Sequence, residues 1–374
     1  MVASQLTPAR LALECVPKVE FYCGGPRCPE DFPWPACLRA VLEYVGDSFG
    51  CRSLGLCGTE WKTSCSYALL MAVSGAAFRL MWKPGWHGDN VATWPIDEDG
   101  PAVLRRTLGA IGYDYELVDK GEGEQHLLTR IAQSLRRGVP VIARGVVGPP
   151  ETCVIAGYDE SGDVLVGWSF FQTLPPFNDG LEFEPEGYFR KRNWFADVHD
   201  LVILGQRRER AKMQEVLRDT LEWALAIVRA PLTCGGRHNG LAAYDAWADH
   251  LLHDDEIDVE CRKSGPGVPF AVHDDAVGAV AEGRYYASVF LADMIHYANR
   301  VASHLLAAAS CYAREHELMW DVWACVGGNG RDPEKARRFA DPTARRRIIP
   351  IIKEARTFDA EAAEHLARVL AGLS

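Results

Sequence analysis

The sequence predicts an α+β protein, with a mixed N-terminal domain over residues 1–206 and a helical bundle over residues 207–374. Before residue 206, short runs rich in Val, Ile and Phe alternate with Gly and Pro, as strands and turns do. After residue 207, apolar residues recur at helical spacing. The N-terminal domain is expected to carry helices first and an antiparallel sheet after them.

Periodic and apolar segments define the elements of the first domain. Helices are predicted at Ala36–Tyr44, Tyr67–Val73 and Leu127–Arg137, and strands at Val139–Val147, Cys153–Gly157, Asp163–Phe171 and Leu201–Gly205. The turn-rich letters GYDESGD between the second and third strands predict a β-hairpin.

The second domain is predicted to be all-helical. Its helical segments are Arg208–Ala230, His238–Leu252, Val277–Cys325, Lys335–Ala340 and Ala360–Leu373. A single helix over 277–325 would reach about 70 Å and overhang any compact domain, so we expect a break near Asn299 or Ala308. The letters Glu315-His316-Glu317 are interpreted as a solvated helix face. The bundle is also a candidate surface for forming a homo-oligomer.

Composition narrows the class of protein. The chain has 374 residues, 48% of them hydrophobic, and a formal charge of -11, so it can bury a large core and is not expected to bind nucleic acid. Its apolar runs fall short of the ~20 residues of a membrane span, and its N-terminus shows no secretory pattern. We therefore expect a cytoplasmic protein without a membrane partner.

Cysteine usage indicates thiols rather than disulfides. Twelve cysteines are spread over a long chain without a secretory signal, which favours the reduced state. Cys23 and Cys28 have no second pair at zinc-site spacing, and the sequence lacks glycine-rich phosphate-binding motifs. No metal and no cofactor are expected.

Several segments resemble a known family. Residues Ala36–Gly46 resemble the first helix of papain-like enzymes related to the bacteriocin-leader cysteine peptidases. The segments Val139–Ala143, Glu151–Asp159 and Val164–Trp168 resemble the sheet of the same family. With the helical second domain, the layout is similar to the butirosin-biosynthesis acyltransferase family. The resemblance covers roughly residues 30–205 and implies a papain-like domain and acyl-transfer or amide-hydrolysing chemistry.

The catalytic triad of that family is not retained. The positions of its cysteine, histidine and acid fall on Pro33, Glu151 and Trp168. A thiolate nucleophile requires a base within hydrogen-bond reach and a group that orients the base. None of the three expected residue types stands at its position, so an active site would have to be rebuilt from other residues.

Three residues are candidates for a rebuilt catalytic centre. Cys37 lies one turn further along the first helix, near an N-terminus whose dipole lowers a thiol pKa, although its side chain could equally belong to the core beside Val41. Glu151 and Cys153 are two residues apart in a predicted strand, so their side chains project to the same face. There Glu151 could act as base or acid, and Cys153 as nucleophile. Alternatively, Glu151 could be a solvated charge at the strand edge or could pair with Arg144. Cys153 could be an ordinary core residue.

Arg79 and four further residues are candidates for substrate binding. Arg79 lies between aromatic residues and offers a planar fork for a carboxylate or phosphate, while the alternative is a structural arginine in a turn. Aromatic and polar walls are expected from Trp34, Trp82, Trp168 and Ser169, which could also be ordinary core residues.

Three functional hypotheses follow. The first is a papain-like acyl-transfer or amide-hydrolysing enzyme with a non-standard active site, acting on a small amide, thioester or amino-acid-derived substrate, with an acyl carrier as a further candidate partner. The second is a catalytically inactive papain-like domain that binds a small molecule or regulates. The third is a bundle-based interaction protein whose N-terminal domain is scaffold. A reactive thiol would distinguish the first hypothesis from the other two.

Overall fold

A computed structural model describes residues 8–21, 29–47, 65–88, 101–230, 236–253, 257 and 268–373. Helices combine with an antiparallel sheet, which confirms the predicted α+β class. The contacts divide the chain into two compact units. We call residues 1–50 and 108–210 the sheet unit, and residues 51–107 and 211–374 the helical unit. The segment 51–107, which the sequence texture groups with the first domain, thus makes its contacts in the helical unit.

One antiparallel sheet organises the sheet unit. Its strands are β1 (Leu11–Ala12), β3 (Tyr113–Asp119), β4 (Val141–Arg144), β5 (Thr152–Asp159), β6 (Val164–Trp168), β7 (Glu182–Phe183), β8 (Phe189–Arg192) and β9 (Asp200–Arg207). Their order is β3-β9-β4-β5-β6-β8-β7, and β1 pairs with β5. The helices are α1 (Pro33–Tyr44), α4 (Glu124–Arg136) and the short α5 (Trp194–Asp197), and α3 (Ala102–Ile111) leads into β3.

The predicted hairpin is confirmed, and its turn follows from local chemistry. The Asp159 side chain accepts a hydrogen bond from the Glu160 N–H at 2.8 Å, which starts a single 3-10 turn after β5. Ser161 and Gly162 adopt positive φ angles of 59° and 105°, a conformation that glycine tolerates best. The chain then returns as β6, antiparallel to β5.

Helices pack on this sheet to form its core. Pro33 stands in the first turn of α1, where the missing N–H costs no hydrogen bond. α1 contacts β4 and β5. The apolar stripe of α4, with Leu127 and Ile131, shares a buried cluster with Val141, Cys153 and other strand residues.

Helices make up most of the described part of the helical unit. They are α2 (Cys65–Val73), α6 (Met213–Arg229), α7 (Leu241–His250), α8 (Val268–Met294), α9 (Ala302–Val326), α10 (Pro333–Ala340) and α11 (Pro342–Leu373), with a two-stranded sheet of β2 (Met81–Trp82) and β10 (His238–Asn239). The predicted break is confirmed, because α8 ends at Met294 and a short 3-10 turn at Asn299–Val301 precedes α9. α11 starts 18 residues before the predicted Ala360 and carries Pro350 inside it.

One prediction about the helices is wrong, and one long strand was missed. Glu315 does not lie on a solvated face, because its relative exposure is 0%. Strand β3 was not predicted, since its residues are half-buried and carry charges that hide the apolar alternation. Among the described residues, no helix has the length and apolar character needed to cross a membrane.

Candidate functional site

The N-terminal turns of α1 and the start of β5 form the region where the family resemblance would place an active site. Pro33 is the first residue of α1, and the preceding Phe32 makes no side-chain cap. Trp168 ends β6, where its Nε1–H donates to the Val16 carbonyl at 2.9 Å. Proline has no acid–base group, and the indole N–H is already bonded, so neither position can supply triad chemistry.

Cys37 lies in the core beneath this turn. Its thiol has a relative exposure of 0% and donates to the Thr152 carbonyl at 3.5 Å. Burial, followed by the neighbouring charge of an ionised Cys153, raises the pKa of the Cys37 thiol well above its ordinary value. The helix N-terminus was expected to lower this pKa, but the loss of water outweighs the dipole.

Cys153 is also enclosed. It is fully buried in β5, opposite Ala143 of β4. Burial raises the pKa of the Cys153 thiol to about 12, although backbone hydrogen bonds from Val146, Val147 and Ala143 act in the opposite direction. The thiol is therefore protonated at neutral pH.

Glu151 stands directly before β5 and is partly buried. Its main chain is fixed on both sides, because its N–H donates to the Pro149 carbonyl at 2.6 Å and its carbonyl accepts from the Gly145 N–H at 3.0 Å. Its charge is one of the influences that raise the pKa of Cys37, so the structure brings Glu151 near that thiol. Cys37, Cys153 and Glu151 thus form one neighbourhood in the sheet unit.

The predicted binding residues fall into two groups. Trp34, Trp168 and Ser169 are buried in the sheet unit, whereas Arg79 and Trp82 are buried in the helical unit. The Ser169 hydroxyl donates to the Val147 carbonyl at 2.9 Å, and the Trp168 ring packs 4.5 Å from that of Tyr188. These contacts are structural, and they leave the role of the two side chains in binding a substrate as a prediction.

A buried charge cluster in the helical unit escaped the sequence analysis. Arg284, Glu315 and Asp359 all have 0% exposure. The guanidinium donates to Asp359 Oδ2 at 2.6 Å and to Glu315 Oε2 at 3.3 Å, and the Tyr244 hydroxyl donates to the same Glu315 oxygen at 2.7 Å. Arg284 also donates to the Ala77 carbonyl at 2.9 Å. The available signal was the pair of charged residues Glu282 and Arg284 within the mostly apolar stretch 277–291 of α8.

Burial and a neighbouring charge favour the protonated state of Glu315. Two carboxyl groups face one guanidinium without access to water, and burial together with the Asp359 charge raises the pKa of Glu315 well above its ordinary value. Glu315 Oε1, Asp359 Oδ1 and the Tyr312 hydroxyl have no hydrogen-bond partner in the cluster or around it. The cluster therefore holds a neutral carboxyl group more readily than a second buried charge.

An open groove of about 420 Å³ lies between β3, β9 and α4 in the sheet unit. Its polar lining is already engaged, because Arg130 pairs with Glu116 and Arg137 donates to the Leu204 carbonyl at 3.1 Å. Among the described residues, no group of three or more His, Cys, Asp or Glu side chains could hold a metal ion. Cys23 and Cys28 lie outside the described residues.

No known protein-family profile matches the chain, and no curated protein sequence matches it significantly.

Proposed function

We propose that this chain is a small-molecule binding or regulatory protein whose sheet unit is a papain-like domain without thiol catalysis. The observation that carries the proposal is the state of the two candidate nucleophiles, because Cys37 and Cys153 are both fully buried and both have raised pKa values. The residues at the family's triad positions, Pro33, Glu151 and Trp168, support the same conclusion.

The fraction of Cys153 that is ionised at neutral pH decides whether this thiol could act as a nucleophile. A thiol with a pKa of about 12 is ionised in roughly one molecule in 10⁵ at pH 7. The thiolate is the nucleophile, so acyl transfer through Cys153 would be slowed in proportion. Burial also denies a substrate carbonyl access to either sulfur.

An acyl-transfer or amide-hydrolysing enzyme is the second candidate, and one observation favours it. Backbone groups of Val146, Val147 and Ala143 lower the pKa of Cys153, as donors around a reactive sulfur would. Glu151, close to Cys37, would then serve as the base. This candidate requires a rearrangement that uncovers a thiol.

Alkylation mapped by peptide mass tests the proposal. Cys15 is exposed and serves as the internal reference for a reactive surface thiol. At neutral pH we expect Cys15 to be labelled while Cys37 and Cys153 stay unlabelled until the protein is denatured, and Glu151→Gln should leave this pattern unchanged. Labelling of Cys37 or Cys153 much faster than Cys15, lost in Glu151→Gln, would establish the enzyme instead.

A further inference from the structure

Five aromatic side chains form a closed ring of contacts in the core of the helical unit. Trp82 lies 5.5 Å from Trp86 and 5.9 Å from Trp247, measured between ring centroids. His273 lies 5.5 Å from Trp247 and 4.7 Å from Phe339, and Phe339 closes the ring at 6.1 Å from Trp86. We call these five residues the aromatic cage. They come from four separate stretches of the chain, with Trp82 and Trp86 in the same one, so the fold is needed to bring them together.

Three members of the aromatic cage carry polar nitrogen atoms without a hydrogen-bond partner. These atoms are Trp82 Nε1, Trp86 Nε1 and His273 Nε2, and each is buried. Trp82 and His273 have relative exposures of 0% and 1%. Buried polar groups are almost always hydrogen-bonded, so three unpartnered atoms in one cluster call for an explanation.

The tautomer of His273 follows from its neighbour. The Trp247 Nε1–H donates to His273 Nδ1 at 3.1 Å, so Nδ1 is the acceptor and the ring proton resides on Nε2. Burial lowers the pKa of His273 to about 3, which keeps the ring neutral at physiological pH. All three unpartnered atoms of the aromatic cage are therefore N–H donors.

Neighbouring contacts hold the cage in place. The Gly85 N–H donates to His250 Nε2 at 2.6 Å, which fixes the turn that carries Trp86. Arg345, itself buried, donates to the carbonyl of Phe339 at 2.8 Å and to that of Leu251 at 3.1 Å. Such fixed donors can bind an acceptor without the entropic cost of ordering them.

We propose that the aromatic cage binds a compact molecule that joins a flat apolar body to a hydrogen-bond acceptor, of the chemical class of an aromatic carboxylate or amide. The rings match the flat body, and the three N–H groups match the acceptor. An ammonium ligand would leave all three donors unpartnered. This inference rests on the proposed binding function and names its site and ligand class.

Binding to the full-length protein tests the proposal with four probes of similar shape. Benzoate and benzamide carry an acceptor, toluene carries none, and benzylamine carries a cation. We expect benzoate and benzamide to raise the Tm and to change tryptophan emission, because a ligand that binds the folded state stabilises it. Toluene and benzylamine should bind at least about tenfold more weakly, the loss that one hydrogen bond accounts for.

Two matched variants assign the binding to the cage. Trp82→Phe keeps an aromatic ring and removes one donor, so the Kd of benzoate should rise about tenfold. The control is Trp320→Phe in the same unit, because the Trp320 N–H already donates to His316 Nε2 at 3.1 Å. This control should leave the Kd unchanged. The Tm of each free variant reports whether it has folded.

Three results would overturn the proposal: none of the probes binds, toluene or benzylamine binds as tightly as benzoate, or Trp82→Phe binds benzoate like the unmodified protein. The first result would mean that the cage holds water alone. Rapid labelling of Cys37 or Cys153, by contrast, would reject the proposed function without bearing on the cage, so the two failures are distinguishable.

Discussion

At the scale of single residues, Glu315 shows how burial redefines a charged side chain. It stands on a helix next to His316 and Glu317, a polar trio typical of a surface. The fold instead places it against Arg284 and Tyr244 with no exposure to water. A buried carboxyl group with a raised pKa favours the protonated form, so its contribution to stability depends on pH.

Glu315→Gln tests this state. The folded pKa lies above the ordinary value of 4.5, so the contribution of Glu315 is fully present below that value and is lost as the pH rises through the folded pKa. Glutamine imitates the protonated acid, so we expect its free energy of unfolding to lie within about 1 kcal/mol of that of the unmodified protein below pH 4.5, and to exceed that of the unmodified protein at higher pH. Urea unfolding from acidic to alkaline pH should show a smaller loss of stability for the variant. An identical pH dependence of the two proteins would contradict the assignment.

Asp359→Asn, in contrast to Glu315→Gln, is expected to lower the free energy of unfolding at neutral pH. Arg284 donates to Asp359 Oδ2 at 2.6 Å, and the amide would remove this carboxylate and leave the guanidinium facing Glu315, a carboxyl group whose raised pKa favours its neutral form. Breaking a buried ion pair on one side costs about 3–5 kcal/mol, to be measured by urea unfolding at neutral pH. The control is Glu317→Gln, whose carboxylate makes a solvent-exposed pair with Arg314 and should change stability by about 0–1 kcal/mol. A loss for Asp359→Asn no larger than that of the control would refute the role of the pair.

At the scale of elements, β5 and β6 depend on a close approach of two backbones. The register between them shifts after Ile155, and Gly167 faces the irregular part. A Cβ atom on Gly167 would lie 2.0 Å from the Val154 carbonyl oxygen, which is backbone and has no room to move. Glycine is thus required here by contact and not by its φ angle.

Alanine substitutions at two glycines test whether the close contact at Gly167 requires glycine. We expect Gly167→Ala to lower the free energy of unfolding by more than about 3 kcal/mol, because the sheet would have to separate. Gly278→Ala is the matched control within α8, where a Cβ meets no atom within 4 Å, and it should raise stability by up to about 1 kcal/mol. Thermal unfolding measures both, and a neutral Gly167→Ala would show that the β5–β6 contact is not as close as described.

Elements with a clear period could be predicted from the sequence, and elements defined by tertiary contacts could not. The turn-rich letters GYDESGD between two apolar runs predict the hairpin, and the length limit on a straight helix predicts the break near Asn299. The residue pairs of the candidate sites lie far apart in sequence, as Arg284 and Asp359 do, and no local pattern records such a pairing. Burial reversed the expectation for the Cys37 pKa because desolvation is a property of the fold.

At the scale of the whole molecule, the division of contacts does not follow chain order. Residues 51–107 belong to the helical unit, where β2 pairs with β10 and Trp82 enters the core with Trp247. The change from strand-like to helical sequence patterns near Gln206 marks where the C-terminal helices begin. It does not indicate that residues of the earlier segment 51–107 pack into the same core as those helices.

A fragment of residues 207–374 is therefore expected to fold poorly on its own. It lacks Leu80 and Trp82, which are buried with Tyr244 and Phe270 in one apolar cluster, and removing them exposes that cluster. We expect a broad thermal transition and binding of a hydrophobic dye, compared with one sharp transition for the helical unit within the full chain. A sharp transition for the fragment would show that the predicted boundary at residue 206 marks an independent folding domain.

The central proposal is that Cys37 and Cys153 are held protonated in the sheet unit, so that neither serves as a catalytic nucleophile. An NMR titration of cysteine labelled with ¹³C at Cβ measures this directly, because the Cβ shift reports ionisation of each thiol, and Cys→Ser variants assign the signals. The account predicts that Cys153, with a pKa of about 12, stays protonated well above neutral pH, and that the pKa of the Cys37 thiol lies well above its ordinary value. A thiolate at either buried position near or below neutral pH would contradict it and restore the enzyme.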